Sequence, residues 1–344
     1  MPFAHFQSFA PAILKIYRRD KEAFWAAAMA PFMSANPLSS LWEHRKVSAE
    51  LFLAFQGLDA DARQTLKDFS APLGVDITGW KSNRSSYLRD AYPVFAFLAV
   101  WMDEMGLSDL LDRFADVLRA GVLAVAGYGI LDANVDSDAP RPVEILVAQA
   151  LIAEYETLAL SIFGVSENNL RIMHRMRTYF LRAEIKEKAV RGQRSPYSID
   201  APKDLGAKGA NALAPFMLSL ERLGKASLIE DYWEVFLLFG AAIQIIDDWQ
   251  DLDGDLAIGH YSYLTLLPGK LPNLRDPRKA AQTLKAEWPR VQATYAVGKD
   301  MIACSRAILD RIDDRFLVRF VDITEMRLDQ YFRKELKLDL GKAG

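Results

Sequence analysis

This chain has little of what staples small folds or builds sheets. Its one cysteine, Cys304, excludes an internal disulfide and suits a reducing compartment, so a cytoplasmic location is expected. It lies in an apolar helical stretch with no histidine nearby and reads as a core thiol, not a nucleophile. The four histidines are scattered, without the spacing of a zinc site. Alternating Val, Ile and Thr bounded by turns is nearly absent, which argues against a sheet. Lys and Arg number 42 against 45 Asp and Glu, and a net charge of −3 gives no electrostatic attraction to nucleic acid. The longest apolar runs, Ala120 to Leu131 and Val235 to Ile246, fall short of the roughly 18 residues of a membrane span. They read as buried core helices, and no transmembrane segment is expected. The start, Met1-Pro2-Phe3-Ala4-His5, lacks the charged and apolar regions of a secretory signal.

What the chain does have is hydrophobicity in helical rhythm. Of its 344 residues 51% are hydrophobic, ample for a sizeable core. Val143 to Phe163, Ala212 to Leu223, Tyr232 to Trp249 and Arg306 to Leu336 space their apolar residues by three and four, which predicts helices. Breakers fall between such segments, at Ala71-Pro72-Leu73-Gly74, Ala139-Pro140-Arg141-Pro142, Arg194-Ser195-Pro196 and Pro268-Gly269-Lys270-Leu271-Pro272. No repeat, low-complexity tract or long linker divides the chain. The expectation is one all-α domain, a helical bundle over residues 1–344.

The most informative stretch is Asp247-Asp248-Trp249-Gln250-Asp251-Leu252-Asp253-Gly254-Asp255, directly behind the apolar run. Asp247, Asp251 and Asp255 fall at i, i+4 and i+8, one helix face. Acids at a helix C-terminus oppose the macrodipole, so a cation should neutralise them. Asp248 lies about 100° round from Asp247. A second cluster, Asp132-Ala133-Asn134-Val135-Asp136-Ser137-Asp138, also follows an apolar run, and Asp132 and Asp136 are four apart. Magnesium takes few protein carboxylates, several waters and phosphate oxygens, so two such clusters suit a metal-held diphosphate. Calcium loops fit neither: Ser137 stands where the first loop needs Gly, and Val143 where it needs a carboxylate. A loop framed on Gly254 would start at Trp249 and end at His260. Ordinary solvated helix ends are the plain alternative.

Phe239-Gly240-Ala241-Ala242-Ile243-Gln244-Ile245-Ile246 followed by that acidic stretch resembles the second aspartate-rich motif of trans-polyprenyl diphosphate synthases. Gly259-His260-Tyr261-Ser262-Tyr263-Leu264-Thr265-Leu266-Leu267 resembles the segment that follows it in those enzymes, and Lys208-Gly209-Ala210 their Lys-Thr-Ala. Asp132, Asp136 and Arg141 keep the spacing of the first motif, with Ala133 in place of its second Asp. The likeness spans 204–267 and, more thinly, 128–142; the best-supported part of the domain is 128–267. It implies the isoprenoid synthase fold, with a central apolar cavity. The basic cluster that binds isopentenyl diphosphate in chain-elongating members is poorly copied at Gly79-Trp80-Lys81-Ser82-Asn83-Arg84. Pro142 replaces the usual second Arg, and His260 replaces a lysine.

This pattern is similar to a class I terpene synthase, and it implies ionisation of an allylic prenyl diphosphate, release of diphosphate and a terpene hydrocarbon or alcohol. The resemblance implies three Mg²⁺ ions, with Mn²⁺ as an alternative. Asp132, Asp136, Asp247, Asp248, Asp251 and Asp255 are the expected ligands, with Asp132, Asp136, Asp247 and Asp251 catalytic through them. Arg141, Lys208, His260, Arg177 and Arg182 are expected diphosphate donors, the last two on a basic helix from His174 to Lys188. Trp101, Tyr128, Phe236, Phe239 and Gln244 are expected to line the cavity, with Phe95, Phe97 and Tyr263 on suitable segments. A homodimer fits the family. Two other readings stand beside it: a synthase condensing an allylic diphosphate with isopentenyl diphosphate, and a non-catalytic subunit of an active synthase.

Overall fold

Every regular element among the described residues is helical, as the apolar rhythm predicts. A computed structural model of the chain describes residues 3–33, 45–80, 85–137, 139–190, 206–209, 213–257 and 276–334. Contacts group the chain into two compact units, Met1–His174 with Ala212–Ala226, and Arg175–Asn211 with Ser227–Gly344. The division follows no linker. It falls inside a helix, between His174 and Arg175.

The first unit holds α1 (Ala4–Arg19), α2 (Lys21–Met33), α3 (Arg45–Ser70), α4 (Ser85–Glu104), α5 (Ser108–Asp112), α6 (Phe114–Asp136) and α7 (Pro142–Phe163). It also holds the start of α8 (Glu167–Val190) and the short α9 (Ala214–Ser219). At the head of α1, Phe3 adopts φ 63° and offers no side-chain cap. Buried Asp61 of α3 accepts the Phe6 N–H at 2.8 Å instead, satisfying one orphan donor from another helix. The breaker after α3 folds as a short 3₁₀ turn, Ala71–Leu73, closed by Gly74 at φ 68°. α6 is the centre of this unit, packed by α1, α3, α4 and α7. Pro142 opens α7 at the position where its missing N–H costs nothing.

The second unit holds the rest of α8, α10 (Ile229–Gln250), α11 (Leu252–Ala257), α12 (Pro277–Ala286), α13 (Trp288–Arg311) and α14 (Arg315–Lys334). α10 is its apolar core helix, packed by α13 and α14. One long helix was expected from Arg306 to Leu336, but the chain breaks between Arg311 and Arg315. Asp313 takes φ 56°, and buried Asp314 accepts the Leu317 N–H at 3.0 Å and the Tyr232 hydroxyl at 2.5 Å. That aspartate starts α14 and ties it to α10. Similarly, only Ala214–Ser219 of the expected helix over 212–223 is α-helical among the described residues. Cys304 is exposed, not a core thiol. It lies about 140° round α13 from the stripe formed by Val291, Gly298, Ile302 and Leu309.

α13 and α14 are joined by charge as well as packing. Arg306 meets Asp322 at 2.6 Å and also binds Glu325, while Lys299 binds Glu325 and lies 3.3 Å from Asp329. Burial alone would raise the Glu325 carboxyl, but hydrogen bonds from Lys299 and Arg306 outweigh it and hold it below its ordinary 4.5. A depressed folded value stabilises above the unfolded one and is lost as pH falls through the folded one. Glu325→Gln is therefore expected to cost about 1 kcal/mol at pH 7, with the gap to wild type closing as pH falls below the ordinary glutamate range. Denaturant titrations at neutral and acid pH check this.

Two helical stretches, Phe114–Val135 and Pro142–Phe163, are long and apolar enough to cross a membrane, with mean hydropathy 1.6 and 1.5. Of these windows 61% and 39% are buried within the fold. Core helices of globular proteins pass the same test of length and composition.

Candidate functional site

α10 is buried on most of its circumference. From Gly240 onward, the residues left unburied are Gly240, Ile243, Gln244, Asp247, Gln250 and Asp251. They recur by threes and fours and so form one stripe. Asp247 and Asp251 are exposed on it. Asp248 points away, buried, and accepts from the Gln244 amide at 3.1 Å. α10 ends at Gln250, yet the backbone register carries on. The Asp251 N–H bonds the Asp247 carbonyl at 2.9 Å, and the Asp255 N–H bonds the Asp251 carbonyl at 2.9 Å. The i, i+4, i+8 relation of the three acids thus survives the joint to α11.

A second strand of chain crosses this helix closely. A Cβ added at Gly240 would sit 2.8 Å from the Gly206 carbonyl oxygen, and one at Gly206 would sit 1.9 Å from the Leu237 carbonyl oxygen. Only a pair of glycines permits that approach. Just past the crossing, Lys208 forms an ion pair with buried Glu184 of α8 at 3.0 Å. Gly240 and Asp247 are seven residues apart, so they share a face about 10 Å apart along the axis. The turn carrying Lys208 therefore crosses the same stripe that ends in the acids.

α6 in the other unit repeats the design. Between Ala120 and Ile130 its unburied residues are Gly121, Val125 and Gly129, a line that continues to Asp132 and Ala133. Asp136 is the last residue of the helix, one turn further on. Asn134 is buried on the other side and acts as a structural pin. Its amide donates to the Ile130 carbonyl at 2.9 Å and to Glu144 at 3.1 Å, and its oxygen accepts the Arg141 N–H at 2.8 Å. Buried Glu144 in turn holds the Arg141 guanidinium at 2.5 Å. The Asp-x-Asn-x-Asp pattern is thus explained by a corner. Its Asn builds the turn into α7, leaving Asp132 on the open line.

Of the other expected donors, Arg177 and Arg182 both lie exposed on α8, about 140° apart round the helix. Arg182 lines a cavity of about 330 Å³ with Tyr179, Ala183, Lys186 and Ala207. His260 and Tyr263 lie outside the described residues, as do Lys81 and Arg84. The expected cavity aromatics are buried in packing. Trp101 contacts Phe216 at 5.0 Å, Phe236 contacts Tyr232 at 6.0 Å, and Phe239 contacts Phe320 at 4.8 Å. Tyr128, Phe95 and Phe97 are buried as well, while Gln244 is on the open stripe.

Among the described residues no three His, Cys, Asp or Glu side chains gather closely enough to hold one ion. Sequence reasoning missed the two buried glutamates. Glu144, three residues after Arg141, was readable as a helical pair; Glu184 with Lys208 was not. No protein-family model matches the chain, and no curated protein matches it either.

Proposed function

We propose that the chain is a magnesium-dependent class I terpene synthase that ionises an allylic prenyl diphosphate. One observation carries the reading: between Ala120 and Ile130 of α6, and from Gly240 of α10 onward, the unburied residues form one line on each apolar helix, and each line leads to aspartates at helical spacing. Surface acids alone need no such helix. The stripes offer oxygen donors only, which suits magnesium, an ion content with one or two carboxylates when water and phosphate oxygens complete its shell. That also accommodates the lack of a three-carboxylate group among the described residues.

In this reading Asp247 and Asp251, with Asp255 beyond them, and Asp132 and Asp136 would hold the ions. Bound magnesium would supply Lewis-acid neutralisation of the departing diphosphate. Lys208, steadied by Glu184, and Arg141, steadied by Glu144, present cations whose carboxylate partners orient them beforehand. Gln244 secures Asp248 inward, leaving the stripe to Asp247 and Asp251. The chain's remaining task is to exclude water from the allylic cation once the carbon–oxygen bond breaks.

The test is incubation of purified protein with Mg²⁺ and prenyl diphosphates of ten, fifteen, twenty and twenty-five carbons, with and without isopentenyl diphosphate. The expected result is release of diphosphate with a hydrocarbon or alcohol from one substrate alone. Longer diphosphates formed only with isopentenyl diphosphate would make it an elongating synthase. No reaction with any substrate would favour the non-catalytic subunit.

A further inference from the structure

We propose that the outward face of α8, between Arg177 and Lys186, is a docking surface for an anionic lipid bilayer. The proposal goes beyond the prenyl diphosphate reading and does not rest on it. It concerns the second unit, which holds α8 from Arg175 onward. Five residues of this stretch are exposed: Arg177, Leu181, Arg182, Ile185 and Lys186. Three are cationic, two are large and apolar, and none is acidic.

The helical register sorts them. With Leu181 as the centre, Ile185 lies about 40° to one side and Arg177 about 40° to the other. Arg182 and Lys186 follow beyond Ile185, at about 100° and 140°. An apolar ridge thus runs between cations on both flanks, the layout of a helix that lies in a membrane interface. Ile185 is 67% exposed and Leu181 39%, so the ridge stands clear of the protein. The other side of the helix is fastened down. Met176, Phe180 and Ala183 are buried, and Glu184, the one acid of the stretch, is buried against Lys208 at 3.0 Å. Arg175 meets Glu230 at 2.7 Å and covers Trp233 at 4.5 Å, which ties α8 to α10. The ridge is therefore presented without rearrangement.

Charge selects the occupant. Residues 175–211 hold nine Lys and Arg against four Asp and Glu, a surplus of five. The chain as a whole carries −3, so the remainder carries −8. Every acid of the segment is in that count, and ion pairs formed within it leave the surplus unchanged. A basic segment in an otherwise acidic chain is drawn to an anionic membrane surface within a Debye length and turns the molecule to face it. The long stems of Arg177, Arg182 and Lys186 let their heads stay at headgroup level while the ridge enters the acyl boundary. A protein partner suits the face less, because interface cores are poor in lysine and the apolar ridge is only two residues long.

The experiment is flotation of the full chain, in EDTA, with vesicles of phosphatidylcholine alone or with about one-third phosphatidylglycerol. The chain is expected to float with the anionic vesicles, to stay behind with the neutral ones, and to be released by high salt. Leu181→Gln with Ile185→Gln removes the ridge and keeps every charge, whereas Arg177→Gln with Lys186→Gln removes two charges and keeps the ridge. Each pair should weaken binding to anionic vesicles at least about tenfold, since stable anchoring takes both signals. The controls Arg278→Gln with Lys279→Gln, and Met326→Gln, make like changes at exposed positions on α12 and α14 and should bind as wild type. Circular dichroism melts establish that every variant is folded. Absence of binding to anionic vesicles, equal binding to neutral ones, or equal loss in the controls would overturn the proposal. So would vesicle-free sedimentation in which the ridge variant alone splits a dimer, since the face would then join two copies. Because metal and prenyl diphosphate are both absent, a failed product assay and a failed docking give different results.

Discussion

Under the proposed function, Asp247→Asn combined with Asp251→Asn is expected to reduce magnesium-dependent diphosphate release by about a thousandfold or more, because the charge proposed to attract the metal is gone. The substitution is close to isosteric, and both side chains are exposed, so no packing is disturbed. Stability should move the other way. Acids at the end of α10 face the negative pole of its dipole, and removing two of them is expected to add about 0.3–1 kcal/mol each. Activity falling while the melting temperature holds or rises is a combination that a solvated structural cluster does not produce. Steady-state release of diphosphate and a thermal melt on one preparation measure both. Unchanged turnover would remove α10 from the active site.

The glycine crossing gives the largest expected loss of stability. At Gly206 a methyl group would lie 1.9 Å from the Leu237 carbonyl oxygen and 2.8 Å from the Ala241 nitrogen. Both atoms belong to the backbone of a buried helix, so no side chain can turn aside. Gly206→Ala is expected to cost about 3 kcal/mol or more, the upper end for overpacking. Gly240→Ala is the sharper case. Alanine is favoured over glycine inside a helix by about 1 kcal/mol, yet its methyl would meet the Gly206 carbonyl at 2.8 Å. The clash is expected to win, leaving a net loss of about 2 kcal/mol. Gly209→Ala, whose added carbon meets nothing within 4 Å, is the control and should be nearly neutral. Denaturant unfolding of the three variants decides whether the approach is as tight as the backbone implies.

Much of this was legible from the residues, and what was not has identifiable causes. α10 and α6 could be read because an apolar run followed by acids at four-residue spacing is a local signal. The break between α13 and α14 was missed because Leu309, Ile312 and Phe316 carry the apolar rhythm across it. The Asp313-Asp314 pair, a ready N-cap, was the sign that it ended. Cys304 misled for a related reason: apolar neighbours such as Ile302 say nothing of angle, and the buried stripe of α13 passes it by. Glu184 pairs with Lys208 from 24 positions away, a partnership that only tertiary structure creates. Asn134 looked like part of an acidic ligand set and is instead the pin of a corner, because side-chain direction alternates around a helix faster than the motif repeats.

The open stripe of α10 also bears on how such a chain can change over generations. Val235, Phe236, Ala241, Ala242, Ile245 and Ile246 are held by their neighbours, so substitutions there are screened by folding before any chemistry is tried. Asp247, Gln250 and Asp251 are exposed, so the folding screen on their shape is weaker. Ligand identity can drift at these positions while the helix beneath stays constant. Divergent descendants of one ancestor would then share the buried rhythm and differ in the acids, and a comparison weighted toward the acids would pass over their kinship.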